Sequence, residues 1–199
     1  MKKVSIATTI AAAIILGACN GNSNSSSTTD STTNTMSSSS DTGMNTMNNS
    51  DTAHATVSQD AINFVQEAAT GGMMEVQLGN IAQKNSNNKD IKDYGKMLAD
   101  DHSSANDKLK DIASKKNITV PNSVTSDQQD KIDKLSKETG TTFDKDFISM
   151  AVDDHQNDID KFKKAEDNIQ DADLKDFIAK TLPTLQKHLD KAKEIKKKM

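Results

Sequence analysis

From Val57 onward, apolar residues recur at alternating spacings of three and four residues. This period follows the 3.6-residue turn of an α-helix and places the apolar side chains on one face. No stretch of comparable length shows the alternation of apolar and polar residues that is typical of a half-buried strand. The chain beyond Val57 is therefore restricted to amphipathic helices that bury one face against one another.

The apolar pattern divides this part of the chain into four long helices and a shorter one. The long helices are predicted at about residues 58–86, 89–116, 142–169 and 172–197, and the short one near residues 126–138. We therefore predict an all-α fold, a four-helix bundle with a longer connection, including the short helix, between the second and third long helices.

Local signals refine these boundaries. Thr56, with Gln59 three residues later, is the expected cap of the first helix. Pro121 marks the break after the second helix. Pro183 lies inside the fourth long helix, where we expect it to kink the helix or to remove a hydrogen bond, because proline has no N–H to donate.

Each long helix carries one ionisable residue in its apolar seam, namely Glu75, His102, His155 and His188 in chain order. At about 1.5 Å of rise per residue, all four lie near the middle of the bundle. Three imidazoles and a carboxylate from facing helices form a common ligand set for a first-row transition metal ion. The alternatives are a polar layer of hydrogen-bonded side chains that only specifies packing, and side chains that lie partly exposed at the edge of the apolar seam.

Further residues beside this layer bear on both interpretations. Asp101 and Asp154 each precede a histidine directly and are candidates to orient an imidazole or to join the metal ligands. Gly71 and Gly72 lie in mid-helix, where each costs about 1 kcal/mol relative to alanine. They indicate a close helix approach, room for a ligand beside Glu75, or a packing notch without a function.

The N-terminus predicts export. Residues 1–18 have the charged, apolar and small-residue order of a signal peptide, and Gly17-Ala18-Cys19 resembles the bacterial lipobox. We therefore expect Cys19 to be lipid-modified and to anchor the protein to a membrane of the cell envelope, the alternative being a plain secretion signal. Asn20 follows the cysteine, which favours the outer membrane, facing the periplasm or the cell surface, if the source is Gram-negative.

Residues 19–56 comprise Cys19 and a segment composed almost entirely of Ser, Thr, Asn, Asp, Gly and Met. Such a segment buries too little apolar area to offset the entropy of ordering the chain, so we predict a disordered tether. The domain organisation predicted is a lipoprotein signal peptide at 1–18, the lipidated tether at 19–56 and a helical domain at 57–199.

Composition argues against several functions. The formal net charge is −4 and the chain has no arginine, so nucleic acid is not expected as a partner. No nucleophile elbow, phosphate-binding loop or catalytic cysteine is present among the motifs of the sequence. The protein is thus more readily interpreted as a binding or interaction protein than as an enzyme.

Four separated motifs occur in order along the chain: Gly71-Gly72-Met73-Met74-Glu75-Val76-Gln77-Leu78-Gly79, Met97 to Asp101 before His102, Phe143-Asp144 ahead of Asp154-His155, and Thr181-Leu182-Pro183-Thr184-Leu185 before His188. Together they resemble the bacterial domain-of-unknown-function 4142 family over about residues 57–196. The resemblance implies a ferritin-like fold in a secreted or lipoprotein envelope protein, and it implies no established activity.

The sequence departs from the ferritin-like di-iron enzymes, which carry Glu-x-x-His on two helices. Ala99, Val152 and Leu185 stand three residues before the three histidines. The leading hypothesis is an envelope-anchored lipoprotein that binds a metal or small ligand in the bundle centre. The alternatives are a structural or interaction module of the envelope and, less favoured, a metal-dependent oxidoreductase.

Overall fold

The structure is a computed structural model that describes residues 57–199. The predicted signal peptide, the lipidation at Cys19 and the tether lie outside the described residues. Within residues 57–199 the secondary structure is helical, with no strand. The all-α prediction is confirmed.

Five helices follow one another in the described part of the chain: α1 Gln59–Asn85, α2 Lys89–Lys115, α3 Ser126–Ser136, α4 Gly140–Asn168 and α5 Ala172–Lys197. The four long helices and the short helix of the connection were all predicted, and their bounds agree to within two residues. Apolar spacing is a local property of the sequence, which is why it locates these helices so closely.

Side-chain caps define the helix starts. The hydroxyl of Ser58 accepts a hydrogen bond from the backbone N–H of Ala61 at 3.2 Å, so Ser58 caps α1. The prediction of Thr56 as the cap was wrong, because a cap must directly precede the first helical residue. Helix α3 begins with a complete capping box formed by Thr125 and Gln128.

The helices pack as two hairpins that form a four-helix bundle. Residues 86–88 join α1 to α2 and residues 169–171 join α4 to α5, so the members of each pair lie antiparallel and side by side. Contacts of α1 with α4 and of α2 with α5 close the bundle. The short helix α3, within the longer connection, packs against α1 and α4. This arrangement is consistent with a ferritin-like bundle.

Helices α1 and α2 approach most closely where two glycines face each other. A Cβ atom added to Gly79 would lie 2.4 Å from the carbonyl oxygen of Gly95, and one added to Gly95 would lie 2.7 Å from that of Gly79. Neither backbone can move away without separating the helices. The close approach therefore occurs at Gly79 and Gly95, rather than at Gly71.

The core consists of two hydrophobic clusters at different heights. One contains Phe64, Phe162 and Phe177, whose rings pack edge to face or tilted, and the other contains Tyr94 and Phe147. On α2 and α4, His102 and His155 lie between the residues that enter the two clusters, whereas Glu75 of α1 directly follows Met74 of the second cluster. The bundle thus places its polar centre between two apolar ends.

Helix α5 continues through Pro183 from Ala172 to Lys197. The proline removes one backbone donor without ending the helix, and its side chain is exposed. Among the helices of residues 57–199, none is both long and apolar enough to cross a membrane.

Candidate metal centre

The four polar residues predicted from the helix seams are buried together. Glu75 is 3% exposed, His102 7%, and His155 and His188 are both fully buried. One ring nitrogen from each histidine lies within 4.8 Å of those of the other two. Glu75 contacts His102 and His155 but does not belong to the group formed by the three histidines.

Two of the imidazoles are oriented by acceptors outside the group. Nδ1 of His155 lies 2.9 Å from the carbonyl oxygen of Ala151, and Nε2 of His188 lies 2.9 Å from Oδ2 of Asp101. A carbonyl and a carboxylate can only accept, so each of these nitrogens carries the proton and donates it. When such a ring is neutral, its opposite nitrogen is an unprotonated acceptor.

These two acceptor nitrogens face each other. Nε2 of His155 and Nδ1 of His188 are 3.2 Å apart, and in the neutral rings no proton lies between them. Two nitrogens bound at about 2.0–2.1 Å to one tetrahedral metal ion lie roughly 3.3–3.4 Å apart. The observed separation therefore fits two ligands of a shared cation.

A second pair of buried atoms also lacks a proper partner. Nε2 of His102 is 2.7 Å from Oε2 of Glu75, yet neither atom makes a hydrogen bond of acceptable geometry. The two atoms are close enough to form an ion pair when His102 is charged. Buried polar atoms are nearly always satisfied, and with a neutral ring a cation bound at Nε2 would give that nitrogen a bond and offset the charge of Glu75.

The charges of the centre depend on its burial. Burial would raise the pKa of Glu75, but the neighbouring imidazoles, His102 ahead of His155, outweigh it and bring the pKa to about 2. Burial would lower the pKa of His102, but the Glu75 carboxylate raises it above its ordinary value. Burial lowers the pKa of His188 to about 4 despite the Asp101 hydrogen bond. His188 is therefore neutral at pH 7, with a lone pair available at Nδ1.

The two predicted neighbouring carboxylates have different surroundings. Asp101 accepts the hydrogen bond from His188. Asp154 instead accepts a hydrogen bond from Nζ of Lys131 on α3 at 3.2 Å. Among the described residues, Asp154 forms no hydrogen bond or ion pair with any of the three imidazoles.

A third carboxylate near the centre, Asp158, was not predicted from the sequence. It lines a cavity together with Glu75 and His102, and burial followed by the charge of Glu75 raises the pKa of Asp158 to about 7. Its position three residues after His155 places both on one face of α4. That spacing is a signal for its proximity, although many exposed acidic residues have similar spacings.

Gly71 and Gly72 differ in their surroundings, although both line the same cavity. A Cβ atom at Gly71 would meet nothing within 4 Å, whereas one at Gly72 would lie 2.4 Å from Oδ1 of Asn106. Gly71 therefore leaves open space in the cavity beside Glu75. Gly72 provides room for an adjacent side chain.

The fold and this site define an all-helical bundle protein with a histidine-rich candidate metal centre. The profile of the family described as "Domain of unknown function (DUF4142)" matches residues 46–195. The chain belongs to this family, as its separated motifs indicated. No curated protein matches the chain in sequence.

A solved structure supports the fold. The crystal structure of a DUF305 fragment from Deinococcus radiodurans is similar to this chain with a TM-score of 0.65. The match covers 72% of this chain and 99% of that chain at 8% sequence identity. At this identity the likeness concerns the fold alone.

Proposed function

We propose that this protein binds one first-row transition metal ion in the middle of its helical bundle. His102, His155 and His188 would hold the ion, with Glu75 as the adjoining carboxylate. The observation that carries the proposal is the 3.2 Å separation of two acceptor nitrogens, one on His155 and one on His188. An ion bound by two neutral rings would give each nitrogen the electron-pair acceptor that the facing nitrogen cannot supply.

The surrounding residues have distinct tasks in this proposal. Asp101 and the carbonyl of Ala151 fix the ring orientations of His188 and His155. Glu75 supplies a negative charge that offsets the charge of the ion in a buried site. Because metal ligands must be unprotonated, binding would release a proton from His102 wherever that ring is charged.

The proposal also concerns where the protein is located in the cell. We infer that Cys19 carries the lipid and that the tether positions the metal-binding domain at the surface of an envelope membrane. The order of charged, apolar and small residues ahead of Cys19 supports this. The protein would then act as a membrane-anchored holder of a metal ion.

Metal content tests the proposal directly. The full chain, purified without a histidine tag and exposed to zinc, should retain about one ion per chain after gel filtration, as measured by elemental analysis. The His155→Gln variant should lose it while remaining helical by circular dichroism. His54→Gln, which changes the one histidine outside residues 57–199, is the matched control and should retain the ion.

A structural polar layer is the second candidate function. A proton held between His155 and His188 would complete a series of contacts from Asp101 through both rings to Glu75 without any metal. On this account the parent protein retains no metal, and His155→Gln lowers its stability. Absence of metal from the parent at neutral pH would therefore overturn the metal proposal in favour of this one.

A further inference from the structure

A small cavity lies directly against one side of the candidate metal centre. Its volume is about 40 Å³, and its polar lining includes Glu75, His102 and Asp158. These include the two residues whose facing atoms, Oε2 of Glu75 and Nε2 of His102, lack hydrogen-bond partners. Neither His155 nor His188 lines it. The cavity thus adjoins the unsatisfied side of the centre.

The opposite walls of the cavity are apolar. Phe64, Leu109 and Phe162 line it, and Gly71 leaves open space where a side chain would otherwise stand. A few convergent polar groups facing apolar walls are typical of sites for small molecules. A single water needs at least about 10–15 Å³ of such volume, so this cavity admits roughly three water-sized groups and no larger molecule.

Charged residues lie where the cavity approaches the surface. Lys161 and Glu67 both line it, are both well exposed, and form an ion pair of 3.5 Å between α4 and α1. Exposed ion pairs contribute little stability and are screened by salt. This pair therefore adds little to the free energy that holds this wall of the cavity in place.

We propose that the cavity admits an exogenous oxygen or nitrogen donor of two or three non-hydrogen atoms, the size of peroxide or azide, to a coordination position on the metal ion. This rests on the proposed function. Three histidines leave a fourth position of a tetrahedral ion for a small molecule, as in metal sites that exchange ligands. Nε2 of His102 and Oε2 of Glu75 lack hydrogen-bond partners, and both residues line the cavity. We therefore place the fourth coordination position on the side of the ion that faces the cavity. Asp158 borders the position and can form a hydrogen bond with the far end of the bound ligand.

Cobalt(II) provides a visible readout of this position. The full chain loaded with cobalt is titrated with azide, and the absorption bands of the cobalt ion are followed. Azide should shift these bands with saturation at one azide per cobalt. In Gly71→Leu, whose side chain fills the cavity, the apparent affinity for azide should fall at least tenfold while cobalt content is unchanged. Ala179→Leu adds the same side chain at an exposed position of α5 and should behave as the parent does.

The outcomes separate this inference from the proposed function. If the parent takes up no cobalt, the metal site itself is wrong. If cobalt binds but azide leaves the bands unchanged, or if azide binds Gly71→Leu as tightly as the parent, the cavity inference is overturned and the metal site stands. Should Gly71→Leu fail to take up cobalt, Ala68→Leu fills the same cavity from one turn earlier on α1, and the same criterion applies to it.

Discussion

Asp101 is partly exposed, yet it orients a side chain of the buried centre. Its carboxylate is 39% exposed, yet Oδ2 accepts the hydrogen bond that fixes the ring of the fully buried His188. Because the bonded nitrogen is Nε2, Nδ1 is directed towards His155. The residue determines which nitrogen of His188 is available to a metal without itself lying in the centre.

We therefore predict that Asp101→Ala lowers zinc affinity by about 10–100-fold, the usual effect of removing a partner that orients a metal-bound histidine. Competition with a chromophoric chelator measures the affinity. Asp100→Ala removes the neighbouring exposed carboxylate, which pairs with Lys96, and should leave zinc affinity unchanged. Equal affinities for the parent and Asp101→Ala would remove the orienting role assigned to Asp101.

Tyr94, the chain's single tyrosine, gives a prediction about pH. It is 2% exposed, and burial followed by the charge of Glu75 raises the pKa of Tyr94 far above its ordinary value of 10. The folded state keeps the phenol neutral, while the unfolded state ionises it above about pH 10. Stability contributed by Tyr94 is thus intact below pH 10 and lost as the pH rises further.

Absorbance of the tyrosinate ion should consequently appear together with unfolding, measured by circular dichroism, rather than in a separate step near pH 10. Tyr94→Phe controls for the lysines, which titrate in the same range. The parent should lose stability more steeply than Tyr94→Phe above pH 10 in urea titrations. Ionisation of Tyr94 in a fully helical protein near pH 10 would contradict the burial described for it.

At the scale of the helix, the crossing of α1 and α2 depends on Gly79. A Cβ atom there would overlap the backbone of α2, so we predict that Gly79→Ala lowers the free energy of unfolding by about 1–3 kcal/mol. Gly71→Ala is the matched control: its Cβ meets nothing within 4 Å, and the gain in helix propensity stabilises by up to about 1 kcal/mol. Urea unfolding measures both, and equal effects of the two substitutions would refute the close crossing.

The helices could be predicted because each depends on residues near one another in sequence. The seam polar residues Glu75, His102, His155 and His188 could be predicted as well, since helix rise alone places them at one height. Asp158 and the cavity could not, because they depend on how side chains of α1, α2 and α4 pack together. The hydrogen bond to Lys131 that distinguishes Asp154 from Asp101 likewise depends on where α3 packs.

At the scale of the whole molecule, we predict that Cys19 attaches the protein to a membrane. Replacing the only cysteine with Cys19→Ser should abolish incorporation of labelled fatty acid and release the protein from the membrane fraction, because no other thiol can take the lipid. Ser23→Ala, four residues into the tether, should keep both the label and the membrane association. A Cys19→Ser protein that remains lipid-labelled would contradict the anchor.

The whole fold matters to the centre because each histidine proposed to bind the metal comes from a different helix. His102, His155 and His188 are brought together only when α2, α4 and α5 have packed. A metal ion that binds only the folded state stabilises it in proportion to the logarithm of its concentration. Folding and the proposed metal binding are consequently thermodynamically linked.

X-ray absorption at the zinc edge of the zinc-loaded full chain distinguishes a site of three histidines from other kinds of coordination. Three bound imidazole rings would give their multiple-scattering signature, with nitrogen neighbours at about 2.0–2.1 Å, and the signature would be weaker in His188→Gln. A first shell of oxygen atoms without imidazole scattering, or a spectrum unchanged in His188→Gln, would contradict a site of three histidines.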